Sequence, residues 1–203
     1  RSFFTFKKQG MILEPINVDY KTGTSKMFWI NFNISKGLDH WKIIFHGLEK
    51  NRKSIGDQRF NEFGLTGCLT LYQTRINNTQ IKVNNGQCED SLNLLRIVSN
   101  GVEIEVSNAY ADALDADFSM LNIDKLKIKN AGNDCFDVSG GDYSINNASL
   151  ENCSDKAISV GEMSSFTAKN VSIKSANIGV SSKDSSDVEI NLFDTKNVSI
   201  CGE

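Results

Sequence analysis

Apolar and polar positions alternate over short segments that recur along the chain every 22 residues. The segments begin at residues 90, 112, 134, 156 and 178. One apolar position of the segment holds Leu92, Leu114, Phe136, Ile158 and Val180, and two residues later come Leu94, Ala116, Val138, Val160 and Ser182. Alternation with a period of two is typical of a β-strand with one buried face. Self-similarity at this interval indicates stacked repeats.

Two further alternating segments follow the first within each repeat. The second segment recurs at residues 121–123, 143–145, 166–168 and 188–190, and the third at 102–106, 126–128, 148–150 and 171–173. Three short strands per repeat, without helical periodicity, predict an all-β fold, a right-handed parallel β-helix with three sides and about 22 residues per coil. In such a solenoid, residues one repeat apart become neighbours in a ladder with a spacing of about 4.8 Å.

The regular repeats are predicted to span residues 67–203, after a less regular region at 1–66. Residues 28–32 and 41–45 resemble strands, so the first region is predicted to be either a cap over the open end of the solenoid or a set of early, irregular coils. The charged stretch at residues 48–63 is expected to form a long loop.

Composition narrows the class of protein. The chain has 203 residues, a net charge of −3 and a single proline, Pro15, so Asn, Asp, Ser and Gly are expected to form the corners. No basic stripe suggests nucleic-acid binding, and no apolar run is long enough to span a membrane. The N-terminus has neither an initiator Met nor the apolar run of a signal peptide, as expected for part of a longer chain.

Five cysteines match no zinc-binding pattern. Cys68 and Cys88 are separated by nearly one coil, which makes a disulfide between neighbouring coils feasible. The other three, Cys135, Cys153 and Cys201, are expected to be buried free thiols.

Polar residues of the first strand form three predicted columns on one outer face, because the apolar residues between them fill the core. The corner column holds Asp90, Asp112, Asp134 and Lys156; the middle column holds Asn93, Asp115, Asp137, Ser159 and Ser181; the end column holds Asp117, Ser139, Gly161 and Lys183. Carboxylates stacked this closely repel, so some are expected to bind a proton, a cation or a lysine.

The columns nominate candidate residues for three kinds of site. Paired carboxylates serve acid–base chemistry on sugars, which nominates Asp112, Asp134 and Lys156 as catalytic. The residues expected to support them or bind substrate are Asp115, Asp137, Lys183 and Asn133. Oxygen ligands also suit Ca²⁺, with Asp112, Asp115 and Asp137 as the candidate set. For the corner aspartates, the alternative is a hydrogen bond to the backbone of a turn.

Several short motifs in the repeats resemble those of bacterial right-handed β-helix repeat proteins, some of which are attached to CotH-like kinase domains. These motifs lie at residues 111–119, 132–140, 155–164 and 182–184. This resemblance implies an extracytoplasmic or cell-surface location.

A more distant resemblance is to pectin-degrading polygalacturonases, whose active-site motifs lie on successive coils. The positions of this chain that resemble those motifs are Asp112, Asn133–Asp134, Lys156 and Lys183. The resemblance places Asn133 at the position of the general acid, and an amide cannot donate that proton. Lysine beside carboxylates would instead suit a lyase or epimerase acting next to a uronate carboxyl group.

Three functions therefore remain open from the sequence. The first is a carbohydrate-active enzyme, a lyase, epimerase or hydrolase acting on an acidic polysaccharide. The second is a non-catalytic surface module that binds a polysaccharide or Ca²⁺, and the third is a purely structural solenoid. Fold analogy alone is a weak argument for function, so the geometry of the columns has to decide among them.

Overall fold

The computed structural model describes residues 2–8, 11–18, 28–30, 38–47, 59–60 and 64–203. Every regular element in these ranges is a β-strand. The strands are β1 (Ser2–Lys8), β2 (Met11–Val18), β3 (Phe28–Ile30), β4 (Leu38–Asp39), β5 (Trp41–His46), β6 (Gly67–Tyr72), β7 (Arg75–Asn84), β8 (Asp90–Leu95), β9 (Val98–Ser107), β10 (Asp112–Asp117), β11 (Met120–Ala131), β12 (Phe136–Ser139), β13 (Asp142–Gly161), β14 (Ser165–Ser182) and β15 (Asp187–Gly202).

The strands stack in parallel as a β-solenoid of about six turns, which confirms the predicted fold. Leu92 pairs with Leu114, Leu114 with Phe136, and Phe136 with Ile158, so the predicted interval of 22 residues is the register of the first strands. The second and third strands of each coil run together in the long strands β9, β11 and β13. Alignment columns are therefore true ladders in the structure.

The core lies inside the coils and consists of the alternating apolar residues. Phe136, Tyr143 and Phe166 are buried there, and the Phe136 ring lies 6.4 Å from that of Tyr143 and 6.2 Å from that of Phe166. The Tyr143 hydroxyl donates to the Ala116 carbonyl at 2.7 Å, so the one polar atom of this aromatic cluster is satisfied.

Asparagines form one of the three corners in most coils. Asn108, Asn130 and Asn152 have φ values of 56°, 61° and 58°, a left-handed conformation that Asn tolerates better than most residues. The Asn130 amide donates to the Asn108 side-chain oxygen at 2.8 Å, and the Asn152 amide donates to that of Asn130 at 2.9 Å. This ladder explains how the chain turns so often with one proline.

The cysteines form two disulfides. Cys68 pairs with Cys88, as the spacing allowed. The expectation of free thiols was wrong for Cys135 and Cys153, which form a second disulfide within one coil. Their separation of 18 residues hides the pairing, because one partner begins a coil and the other ends its third strand. Cys201 is free, as expected, but it is exposed instead of buried.

Strands of the first 66 residues join the same sheet. β3 pairs in parallel with β6, and β5 pairs in parallel with β7. β1 pairs antiparallel with both β2 and β5. The long loop predicted at residues 48–63 lies mostly outside the described residues. The described part of the chain contains no helix suited to crossing a bilayer.

Candidate functional site

The corner column connects successive coils through backbone hydrogen bonds. Asp112 Oδ1 accepts the backbone N–H of Asp134 at 2.8 Å and the side-chain amide of Asn133 at 2.8 Å. Asp134 Oδ1 accepts the backbone N–H of Lys156, also at 2.8 Å. Each of these carboxylates thus holds the start of the next coil, which matches the backbone role considered for corner aspartates.

Lys156 ends the corner column as a paired cation. Its Nζ lies 2.5 Å from Asp155 Oδ2 and 3.6 Å from Asp134 Oδ2. Burial opposes its charge, but the hydrogen bond to Asp155 and the charge of Asp134 raise the pKa of Lys156 overall. Asp112, Asp134 and Lys156 are therefore neighbours, as the register predicted, although much of their bonding capacity serves the coils themselves.

Asp115 of the middle column and Asp117 of the end column are neighbouring carboxyl groups that share one amide donor. Asn93 is buried, and its amide donates to Asp115 Oδ2 at 2.8 Å and to Asp117 Oδ2 at 3.4 Å. Burial, the charge of Asp90 and the bond to Asp117 raise the pKa of Asp115 well above its usual range. Burial also raises the pKa of Asp117, less strongly, because Asp115 and Asn93 donate to it. Burial and the neighbouring charges therefore raise the pKa of Asp115 more strongly than that of Asp117.

Asp90 begins the corner column as a nearly inaccessible carboxyl group, with 3% of its surface exposed. Its Oδ2 has no hydrogen-bond partner among the described residues. Burial raises the pKa of Asp90 to about 7, against a hydrogen bond from Thr66, and nearby Asp112 adds to the increase. Burial likewise raises the pKa of Asp112 to about 6. The cation nearest to these carboxyl groups is Arg59, which is paired with Glu89 and also interacts with Asp112 and Asp90.

The opposite end of the face carries the compensating lysines. Burial raises the pKa of Asp137, while the Ser159 hydroxyl and the charges of Lys183 and Lys156 lower it. Lys183 is exposed, and its side chain packs over Gly161. A Cβ atom added to Gly161 would lie 3.2 Å from Lys183 Cε. The structure therefore brings Asp137 and Lys183 together, and it places Asn133 against Asp112 at the corner.

An exposed apolar patch adjoins the columns and was not found from the sequence. It consists of Phe118 and of Met120, which pairs with Val98 on the adjacent strand; Met163 is exposed two coils further on. Phe118 is 56% exposed, and its ring packs on Gly140, where an added Cβ would lie 2.7 Å from Phe118 Cδ1. Phe118 has φ of 48°, at a corner position that Gly140 and Glu162 occupy in the following coils. A signal was present: an aromatic residue stands where neighbouring repeats have glycine or a polar residue.

The three columns, together with this patch, form what we term the acidic face. Its charged groups are ordered along the solenoid axis in steps of one coil, about 4.8 Å. Within the described ranges, no group of three or more His, Cys, Asp or Glu side chains is arranged to hold a metal ion. Ca²⁺ binding by Asp112, Asp115 and Asp137 accordingly stays a prediction.

No protein-family model matches the chain, and no curated protein or solved structure matches it either. These comparisons do not support the resemblance to CotH-associated β-helix proteins or the resemblance to polygalacturonases. Function must therefore be argued from the acidic face itself.

Proposed function

We propose that the acidic face is a polysaccharide-binding surface. The observation that carries the proposal is the Phe118 ring, which is exposed, packs on Gly140 and directly follows Asp117 in the chain. Soluble proteins rarely leave several large apolar side chains together in water unless the patch binds something. An aromatic surface beside a few polar groups is the usual composition of a site for an organic ligand.

A sugar suits both halves of this surface. The C–H face of a pyranose ring is apolar and can cover the Phe118 ring, while its hydroxyls can donate hydrogen bonds to carboxylate oxygens. Bonds to a charged acceptor are about twice as strong as those between neutral groups. Asp117 and Asp137 supply such acceptors on adjacent strands, where their ladder partners are Ser139 and Asp115, so a chain of sugars could cross neighbouring coils. The face lacks the excess positive charge that an acidic polysaccharide would need, which favours a neutral or positively charged polymer.

Binding has better support than catalysis. Asp115 and Asp117 are hydrogen-bonded to each other, whereas glycoside hydrolysis needs carboxyl groups about 5 Å apart or more. Asp112 and Asp134 hold backbone N–H groups. Lyase or epimerase activity through Asp112, Asp134 and Lys156 remains a separate hypothesis, motivated by their contiguity.

The two disulfides support an extracytoplasmic location, which belongs to the same proposal. Disulfides persist in oxidising compartments and are rare where thiols are kept reduced. Both Cys68–Cys88 and Cys135–Cys153 lie within the solenoid that carries the acidic face. An exposed surface module that meets polysaccharide would be found in such a compartment.

Replacing Phe118 with alanine tests the proposal. In native gels containing soluble polymers of hexose, N-acetylhexosamine, hexosamine or galacturonate, we expect at least one polymer to retard the wild-type protein. Phe118→Ala should weaken that retardation at least about fivefold, because loss of a binding anchor costs more than about 1 kcal/mol.

The matched control is Leu192→Ala, which removes another exposed apolar side chain, 67% accessible, from the last coil. It should bind like the wild type. The proposal fails if none of the polymers retards the wild-type protein, or if the two variants lose retardation equally.

A further inference from the structure

The third-strand side of the solenoid carries an excess of lysines. It consists of the outward side chains on the third strand of each coil, from β5 to β15. Its charged residues are Lys42, Lys82, Lys125, Lys127, Lys129, Lys174 and Lys196, with Glu103, Glu105, Glu151 and Asp194. Seven lysines against four carboxylates leave three positive charges, although the chain has a net charge of −3. The adjoining corner, with Asp39, Asp124 and Lys169, lowers that excess to two.

Ion pairs neutralise three of these seven lysines. Lys82 Nζ lies 2.7 Å from Glu105 Oε2. The carboxylate of Glu151 is paired with Lys174 at 2.9 Å and with Lys129 at 3.4 Å. The lysines that form no ion pair with any described residue are Lys42, Lys125, Lys127 and Lys196. The unneutralised charge of this side therefore includes two neighbouring lysines of β11.

A cavity of about 250 Å³ lies against those two lysines, Lys125 and Lys127. Lys42, Lys82, Gln80 and two glutamates complete its polar lining. Its apolar lining residues, Ile81 and Ile104, belong to the core and are 0% and 1% exposed. The cavity thus offers no exposed apolar side chain to a sugar ring or a peptide. It is also smaller than the roughly 300–1,000 Å³ of most sites for drug-sized ligands, which favours a small hydrophilic ligand.

The two glutamates of the cavity are bonded to β7, on the side away from the unpaired lysines of β11. Glu103 Oε2 accepts the side-chain amide of Gln80 at 3.0 Å, and Glu105 Oε2 accepts Lys82 at 2.7 Å. Both donors lie on β7, whereas the unpaired lysines lie on β11, across β9. On the far side of β11 the ladder partners of these lysines are neutral residues of β13. Their ammonium groups are therefore available to an external anion.

We propose that this cavity binds a compact oligophosphate group, with Lys125 and Lys127 as its main ligands. Four lysines against two glutamates leave two positive charges in the cavity, which an anion with several charges would balance. Phosphate concentrates more charge in a small volume than a carboxylate does. Its oxygens accept strong hydrogen bonds from charged donors, and lysine binds phosphate as a point charge. This site is separate from the polysaccharide surface proposed above.

Calorimetry at about pH 7 and low salt tests the ligand class, with inorganic triphosphate as the probe. Glycerol phosphate, a monoester, and a hexamer of glutamate are the comparators. We expect triphosphate to bind at least about tenfold more tightly than either comparator, because it brings several charges into one small cavity. Added salt should weaken the binding, because exposed charges are screened over about 8 Å at physiological ionic strength.

The double variant Lys125→Gln/Lys127→Gln removes both charges and keeps polar side chains of similar length. We expect it to bind triphosphate at least about tenfold more weakly than the wild type. Lys169→Gln/Lys196→Gln is the matched control, because it changes the net charge equally at two exposed lysines outside the cavity. It should stay within about threefold of the wild type. All four lysines are exposed, so both variants should melt like the wild type.

The results can overturn the proposal in three ways. Equal losses in the two double variants would show that binding follows net charge instead of the cavity. A comparator that binds as tightly as triphosphate would reject the oligophosphate, in favour of a phosphate monoester or an acidic peptide. No binding of triphosphate by the wild-type protein would reject the site. Phe118→Ala should bind triphosphate like the wild type, which keeps this test independent of the polysaccharide surface.

Discussion

Asp90→Asn should change how the stability of the protein depends on pH. In the folded protein the pKa of Asp90 is about 7, because burial disfavours the charged form, whereas the ordinary value is 3.8. Between about pH 4 and 7 the folded state therefore holds a proton that the unfolded state has lost. Stability falls with rising pH wherever the folded state binds more protons. The contribution of Asp90 is thus favourable at low pH and lost as the pH rises through about 7.

The magnitude follows from the difference between the two pKa values. About three pH units correspond to roughly 4 kcal/mol of unfolding free energy, as an upper bound. Asparagine has nearly the same shape but does not titrate. Its amide can be left unpaired at a cost of roughly 1–3 kcal/mol, and that cost does not depend on pH. The informative quantity is therefore the change in the stability difference between variant and wild type with pH.

Guanidinium unfolding of both proteins from about pH 4 to 8 measures this quantity. We expect the variant to gain up to about 4 kcal/mol relative to the wild type over that range, with the gain concentrated between about pH 5 and 7. The control Asp187→Asn should follow the wild-type curve. A stability difference between Asp90→Asn and wild type that stays constant across the range would refute the idea that burial raises the pKa of Asp90.

Three further results are expected. The double variant Ala113→Cys/Ala131→Cys places two cysteines one coil before the second native disulfide, where they should form a third. Closing this loop of about 18 residues should add up to about 3 kcal/mol to the unfolding free energy, measured by denaturation with and without reductant. Asn130→Ala should cost about 1–2 kcal/mol in the same assay, and Asn130→Gly less, because glycine accepts the left-handed backbone; equal losses would contradict that reason. If the corner column is catalytic, Asp134→Asn should abolish turnover of a uronate polymer while melting like the wild type, and retained turnover would exclude the role.

The register of the solenoid could be predicted because it depends on a regular local pattern. Leu92, Leu114 and Phe136 recur at one interval, and a one-residue slip would bring their polar neighbours into the core. The contiguity of Asp112, Asp134 and Lys156 followed directly from that register.

What the side chains do within the columns was harder to predict. Asp112 and Asp134 each accept a hydrogen bond from a backbone N–H of the next coil. These bonds depend on the geometry of the corner, which the alignment of repeats does not show. Cys135 and Cys153 form a disulfide because the end of the third strand of their coil lies beside the start of its first strand. Their spacing in the sequence alone does not predict this contact. Phe118 looked like an ordinary apolar residue until its left-handed corner placed the ring outside the core.

The most direct test of the acidic face is a crystal structure of the protein with a bound hexasaccharide of a polymer that retards it in native gels. We predict a sugar ring against Phe118 and a sugar hydroxyl within hydrogen-bond distance, about 3 Å, of Asp117 or Asp137. An oligosaccharide bound on the third-strand side, beside Lys125 and Lys127, would contradict the account.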